Sequence, residues 1–218
     1  MQEESRFAFG VLLTAIAGWV DAIGFLSLGG FYVSFMSGNT TQFAIGMTRF
    51  DMELVRVPAV LLGCFVLGAF AGTLVSTWAG RWSFPGSLVV EGLLLACAVL
   101  LSVAQGPMIG PTAPLAMAMG TQNAALRSHS GHRIGGTFVT GTVFGLGEQL
   151  ALWCTARGGP QPALRHALGW IALAVGAAAG TLAFAAYGLF AIAFPAACLL
   201  ALAGLAVLMD WRSRRNGR

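Results

Sequence analysis

Apolar residues run along this chain in long blocks rather than alternating with polar ones. Six blocks approach or exceed the length a helix needs to cross a membrane: Phe7–Leu28, Leu54–Trp78, Phe84–Val103, Met108–Ala125, Leu164–Tyr187 and Phe190–Met209. A helix needs about 20 apolar residues to traverse the ~30 Å hydrocarbon layer. The breaks between blocks, Arg81 to Phe84, Gln105 to Gly110 and Arg157 to Pro162, are polar or rich in turn residues. The pattern predicts an all-α, polytopic transmembrane helical bundle. Pro58, Pro85, Pro111 and Pro114 fall near the predicted helix starts, where a missing N–H costs little. Pro195 lies inside the last block and predicts a kink there.

Two further segments are too polar to face lipid. Phe31–Phe50 carries Ser34, Ser37, Gly38, Asn39, Thr40, Thr41 and Gln42, and Thr137–Thr155 carries Thr140, Gly141, Thr142, Gly145, Gly147, Glu148 and Gln149. Broken backbone survives at membrane depth only inside protein or beside a water-filled cavity. The expectation is six spanning helices plus two broken or re-entrant polar segments, with eight spans as the alternative. Basic residues favour cytoplasmic loops. Six spans put ten arginines inside and leave Arg49 and Arg56 outside, while eight spans put nine inside and three outside. Both arrangements place both termini in the cytoplasm.

Composition agrees. Of 218 residues, 57% are hydrophobic and 9% charged, against about 25% charged in an ordinary soluble domain. The chain reads as one integral membrane domain, 1–218. All the basic residues are Arg, gathered in breaks and at the C-terminus, and no basic patch is interleaved with aromatics, so nucleic acid is not an expected partner. Cys64, Cys97, Cys154 and Cys198 stand singly in apolar surroundings, without the spacing of a metal or disulfide framework. The acidic start, Met1 to Arg6, lacks the basic region and cleavage site of a secretory signal.

The chain also resembles itself. Gly18-Trp19-Val20-Asp21-Ala22 aligns with Gly120-Thr121-Gln122-Asn123-Ala124, and Ser34 to Thr40 aligns with Thr137 to Thr142. Gly68 to Leu74 aligns with Gly176 to Leu182, and the three offsets are 102, 103 and 108. Repeats over approximately 7–105 and 108–209 follow. Three spans per repeat make the halves inverted, and four make them parallel. Gly68/Gly72 and Gly176/Gly180 are small-xxx-small pairs that let helix backbones approach closely.

Asp21 carries the sharpest chemical signal. A charge at the bilayer centre costs about 2.5–3.5 kcal/mol on insertion scales, so such a residue faces the interior and finds a partner. It suits a proton, cation or substrate site, or a structural bond to the Gly38–Thr40 break. Asn39, Thr40, Thr41 and Gln42 form a neutral donor and acceptor cluster, which Thr140, Gly141 and Thr142 repeat in the second half. Gln122 and Asn123 stand where Asp21 stands in the first half. Glu148 is a second protonatable candidate. Glu91 reads as paired to backbone or near a boundary. The HxxH pair His129 and His132 has too few companions for a metal site, and no cofactor is implied. The histidines sit in or beside loops and Asp21 is the one intramembrane Asp, which leaves a membrane protease without its constellation.

The run Gly18 to Gly29, with Phe31 and Ser34-Phe35-Met36-Ser37-Gly38-Asn39-Thr40-Thr41, resembles the YoaK-type family of bacterial membrane proteins. Gly120 to Ala124 and Thr137 to Gly141 fit its second signature. The resemblance covers essentially the whole chain and implies a small multi-span transporter of the inner (cytoplasmic) membrane, with no substrate attached. The expected function is a carrier for a small solute, with proton coupling as one form of it and a midplane site between the repeats. The alternatives are a membrane scaffold or assembly factor, and then an intramembrane enzyme. Beyond the bilayer and an unidentified solute, association with further copies of the chain stays open.

Overall fold

The computed structural model describes residues 2–105, 109–130 and 139–216. The described residues form α1 (Gln2–Ser27), α2 (Met36–Arg49), α3 (Met52–Trp78), α4 (Ser83–Gln105), α5 (Ile109–Ser130), α6 (Val139–Cys154), α7 (Pro160–Tyr187) and α8 (Ala193–Asn216). Short 3-10 turns at Gly80–Trp82 and Gly188–Ile192 precede α4 and α8. The protein is a helical membrane bundle. Four stretches are long and apolar enough to cross a membrane: Glu4–Ser27, Met52–Trp78, Gly80–Ala104 and Pro160–Leu208, the last holding both α7 and α8.

α5 is as long as a span but less apolar, and its burial explains why. Leu115, Ala116, Ala118, Met119, Thr121, Gln122 and Ala125 are all fully buried. α5 packs against α1, α3 and α4, so it has protein rather than lipid around it. By contrast, α3 and α7 turn Val66, Leu67, Phe70, Val175 and Leu182 outward. α2 and α6 have 14 and 16 residues. At 1.5 Å per residue these measure roughly 21 and 24 Å, short of the hydrocarbon layer.

Local chemistry sets several boundaries. The Asp51 carboxylate accepts from the N–H groups of Glu53 and Leu54, capping α3, while Phe50 closes α2 in the left-handed region at φ 55°. Pro160 opens α7. Two proline expectations change. Pro195 does not kink a helix, because α8 starts at Ala193 and the break falls earlier, in the Gly188–Ile192 turn. Pro58 and Pro114 sit within α3 and α5 rather than at their starts.

Contacts at the helix ends fix directions. The rings of Phe9 and Phe84, near the starts of α1 and α4, meet edge to face at 5.7 Å. Leu26 and Ser27 at the end of α1 share a groove with Ser102 near the end of α4 and Phe184 near the end of α7. Helices α1, α4 and α7 therefore run the same way. α3 and α5 run parallel to each other, with Gly68 against Met117 and Gly72 against Thr121. The short connections after α4 and α7 turn α5 and α8 back. Eight crossings would oppose α1 and α4, so the bundle has six long helices in alternating directions. α2 and α6 are not among the stretches long and apolar enough to cross, and the start of α1 lies at the same end as the C-terminal end of α8.

Two crossings bring backbone onto backbone. In the first, a Cβ on Gly18 would strike Leu173 and Ala177, one on Gly176 would strike Ala15, and one on Gly180 would strike Trp19. In the second, a Cβ on Gly120 would strike Phe65 and Ala69, one on Gly68 would strike Met117, and one on Gly72 would strike Thr121. Every partner in the α1–α7 crossing reappears in the α5–α3 crossing, displaced by 102 residues on one helix and 108 on the other. The 3-10 turns match as well, each opening with a glycine of positive φ, Gly80 at 52° and Gly188 at 56°.

Gly68→Leu is expected to destabilise the purified protein by at least the roughly 1–3 kcal/mol typical of overpacking. Gly63→Ala, where a Cβ meets nothing within 4 Å, is expected to be neutral. Thermal unfolding of the two variants in the same detergent measures the difference.

Candidate functional site

After α1 ends, residues 28–35 fold back alongside it. Val33 returns to the level of Gly24, where its methyl groups leave no room for a Cβ. The Asp21 Oδ1 atom accepts from the N–H groups of Val33, at 2.9 Å, and Ser34, at 2.8 Å. Asn39 is fully buried and pairs with Tyr32 as a second strand would, its Oδ1 accepting from Tyr32 N–H at 3.1 Å and its Nδ2 donating to Tyr32 O at 2.6 Å. Gln42 donates to Gly30 O at 3.0 Å. Three polar side chains thus satisfy backbone groups of a non-helical loop. Gly38 leaves room for the Phe35 ring, which meets Tyr32 edge to face at 5.2 Å.

The other predicted residues are placed differently. Thr40 and Thr41 are exposed and donate back along α2 to Met36 O and Ser37 O. Gln122 is fully buried and donates from Nε2 to Leu13 O of α1 at 2.9 Å. Asn123 donates to Met119 O within its own helix at 2.8 Å. Thr140, Gly141 and Glu148 are exposed on α6, and Thr142 is half-buried near Gly169. α2 packs on α3 and α6 on α7, so among the described residues the two polar helices do not meet. Thr137, Phe138, His132 and the side chain of His129 lie outside the described residues.

The residue that stands out instead is Glu91. It is fully buried in α4, and neither carboxylate oxygen has a hydrogen-bond partner. This departs from the expected backbone partner or boundary position. Its depth was visible in the sequence, since it lies well inside its apolar block. Its lack of a partner was not, because that depends on which faces of α5 and α8 turn toward it. The Oε1 atom of Gln122 is likewise buried without a partner. In the antiparallel α4–α5 pair, the two residues lie at matching distances from the end where the helices join, about 20 Å at 1.5 Å per residue.

Residues 9–205 match a family described as a protein of unknown function, DUF1275. The chain belongs to the DUF1275 family. UPF0700 transmembrane protein RA0705 of Rhizobium meliloti (strain 1021) is 33% identical over 215 residues, covering 96% of this chain and 92% of the relative. No solved structure matches. The resemblance to YoaK-type membrane proteins agrees with both findings.

In this DUF1275 protein a groove of about 480 Å³ opens where α1, α4 and α7 end. Its lining of Leu26, Ser27, Ser102, Phe184, Gly188, Leu189 and Phe190 includes none of the polar candidates.

Asp21→Ala leaves two loop N–H groups without their acceptor and is expected to cost about 1–3 kcal/mol for each group left buried and unsatisfied. Asp21→Asn keeps an acceptor and is expected to lose less. Hydrogen exchange at Val33 and Ser34 reads the effect, and unchanged protection in Asp21→Ala would remove the clamp assignment.

Proposed function

We propose that this protein is a secondary carrier for a small solute, built from two inverted three-span halves. The observation that carries the reading is the pair of matched crossings. α1 of the first half packs on α7 of the second, and α5 of the second packs on α3 of the first, through equivalent residues. In each half a short helix interrupts the sequence of spans at the same place, as in transporters that hold their solute at the repeat interface. Each half clasps the other at a glycine-lined crossing. Small residues there let two backbones slide or rock with little side-chain interlock.

In this reading α1 and α5 are the central pair, joined by the bond from Gln122 to Leu13. Asp21, Asn39 and Gln42 hold the re-entrant loop beside them. The solute passes between the halves and is not chemically changed. The protein resides in the cytoplasmic membrane, with both termini inside and Arg49 and Arg56 outside.

A scaffold reading has one observation in its favour. α2 and α6 each pack mainly on one neighbour and expose polar residues, Thr40 and Thr41 on one and Glu148 on the other. Those surfaces would suit a partner protein.

The deciding experiment challenges proteoliposomes of the full chain with amino acids, organic acids, amines, nucleobases and sugars while charge movement and solute content are recorded. A carrier gives a saturable signal for at least one class. Silence across the panel, with a stoichiometric partner retained through purification, would establish the scaffold instead. Sidedness is checked with C-terminal fusions. A green fluorescent protein fusion is expected to glow and an alkaline phosphatase fusion to be inactive, and the reverse pair of results would overturn the assignment.

A further inference from the structure

The Asp21 clamp, the glycine crossings and the apolar end groove are all accounted for by packing or by loop satisfaction. Glu91 is not. It lies about 12 Å into α4 at 1.5 Å per residue, within a buried stripe of Ser87, Leu88, Leu95 and Ala98. Gly92, the next residue, meets Leu200 and Ala196 of α8. Glu91 is turned about 100° from that contact, given 3.6 residues per turn. Ser87, one turn earlier, is also buried, but its hydroxyl donates to Ser83 O. It therefore leaves Glu91 without a donor from its own helix.

No described side chain of the surrounding elements hydrogen-bonds the Glu91 carboxylate. The helices that pack on α4 are chiefly α5 and α8, with α3 and the two 3-10 turns meeting it elsewhere. Among the described side chains of those elements, the charged ones are Glu53 and Arg56 near the start of α3, Arg81 in the first turn, and Arg212 and Arg215 near the end of α8. The other titratable side chains there are the half-buried thiols Cys64 of α3 and Cys198 of α8. Asp21 of α1 is occupied with Val33 and Ser34. What α5 offers at the depth of Glu91 is another acceptor, the Oε1 atom of Gln122, whose amide nitrogen is anchored to Leu13.

Three buried oxygens on two side chains have no hydrogen-bond partner, and the two on the carboxylate call for a positively charged ligand. Three oxygens fall short of the shell a metal cation requires, since hard cations take about six or more oxygens. The helices here are intact, so their carbonyls are engaged. One proton on one carboxyl oxygen removes the charge and creates a donor. We propose that Glu91 and Gln122 together form a proton-binding site at the middle of the bundle, with Glu91 taking the proton and Gln122 providing the fixed acceptor. If the carrier reading holds, on which this role rests, the site is where solute movement is coupled to the proton gradient. Gln122 reaches across to α1, so filling or emptying the site acts directly on the crossing between the two halves.

The test is labelling of the full chain in liposomes with dicyclohexylcarbodiimide, which attacks protonated carboxyl groups in apolar surroundings. Adduct formation is read by mass on the peptide containing Glu91. The expected result is modification of Glu91 and not of the exposed Glu148, with a rate falling by about tenfold per pH unit once the proton is lost. Glu91→Gln is expected to abolish the adduct. Gln122→Leu is expected to shift the pH at which the rate falls. Infrared spectra of the same liposomes give a second readout, a protonated carboxyl band missing from Glu91→Gln. Should that variant fail to fold, the wild-type pH profile decides alone. An unmodified Glu91 at every pH, or a rate indifferent to pH, would overturn the proposal. So would protection by sodium at constant pH, which would make the ligand a metal cation. If Glu91 labels as expected while no solute moves, the proton site stands and the carrier reading falls. If solute moves with unchanged pH dependence in Glu91→Gln, the carrier stands and the coupling role falls.

Discussion

The bundle depends on two places where one helix backbone lies directly on another. Lipid offers no hydrophobic drive for helices to associate, so close packing must supply the attraction. Gly18, Gly176 and Gly180 make that possible for α1 and α7, as Gly68, Gly72 and Gly120 do for α3 and α5. Each crossing ties a helix from the first part of the chain to one from the second. The halves therefore cannot separate without opening both contacts, and neither half buries its own glycine face alone.

The second constraint is the shortage of water at depth. Every break in helical hydrogen bonding must be answered by a side chain. Asp21, Asn39 and Gln42 answer for the loop between α1 and α2, and Thr121 donates to Gly68 O across the α3–α5 crossing. Gln122 ties α5 to α1. Against this pattern Glu91 is an exception, a buried acid that serves no backbone group among the described residues.

Much of the fold was legible from the chain. Blocks of apolar residues marked the long helices, with ends off by up to seven positions where polar residues extend the helix beyond its apolar block, and the Gly- and Thr-rich stretches marked the short ones, since hydrocarbon thickness and backbone satisfaction act on composition directly. Asp21 was legible as an acid in need of a partner, and the structure leaves it half-buried with two loop N–H groups. Pro195 misled because a proline at a helix start and one at a kink look alike when the apolar block around them is continuous. Gln122 was singled out as a counterpart of Asp21, and it does bridge two helices, although it grips a carbonyl rather than a loop.

By itself the sequence determined the membrane class, the long helices, the places where they break and the family, because each of these depends on local composition or on residue order. Only the tertiary structure decided that α1, α4 and α7 run the same way, that α2 packs on α3 and α6 on α7, and that Glu91 is a buried acid without a partner among the described residues. Those facts depend on which faces of distant helices turn toward each other. Rotation about a helix axis is set by packing over the whole bundle, and no single stretch of the chain encodes it.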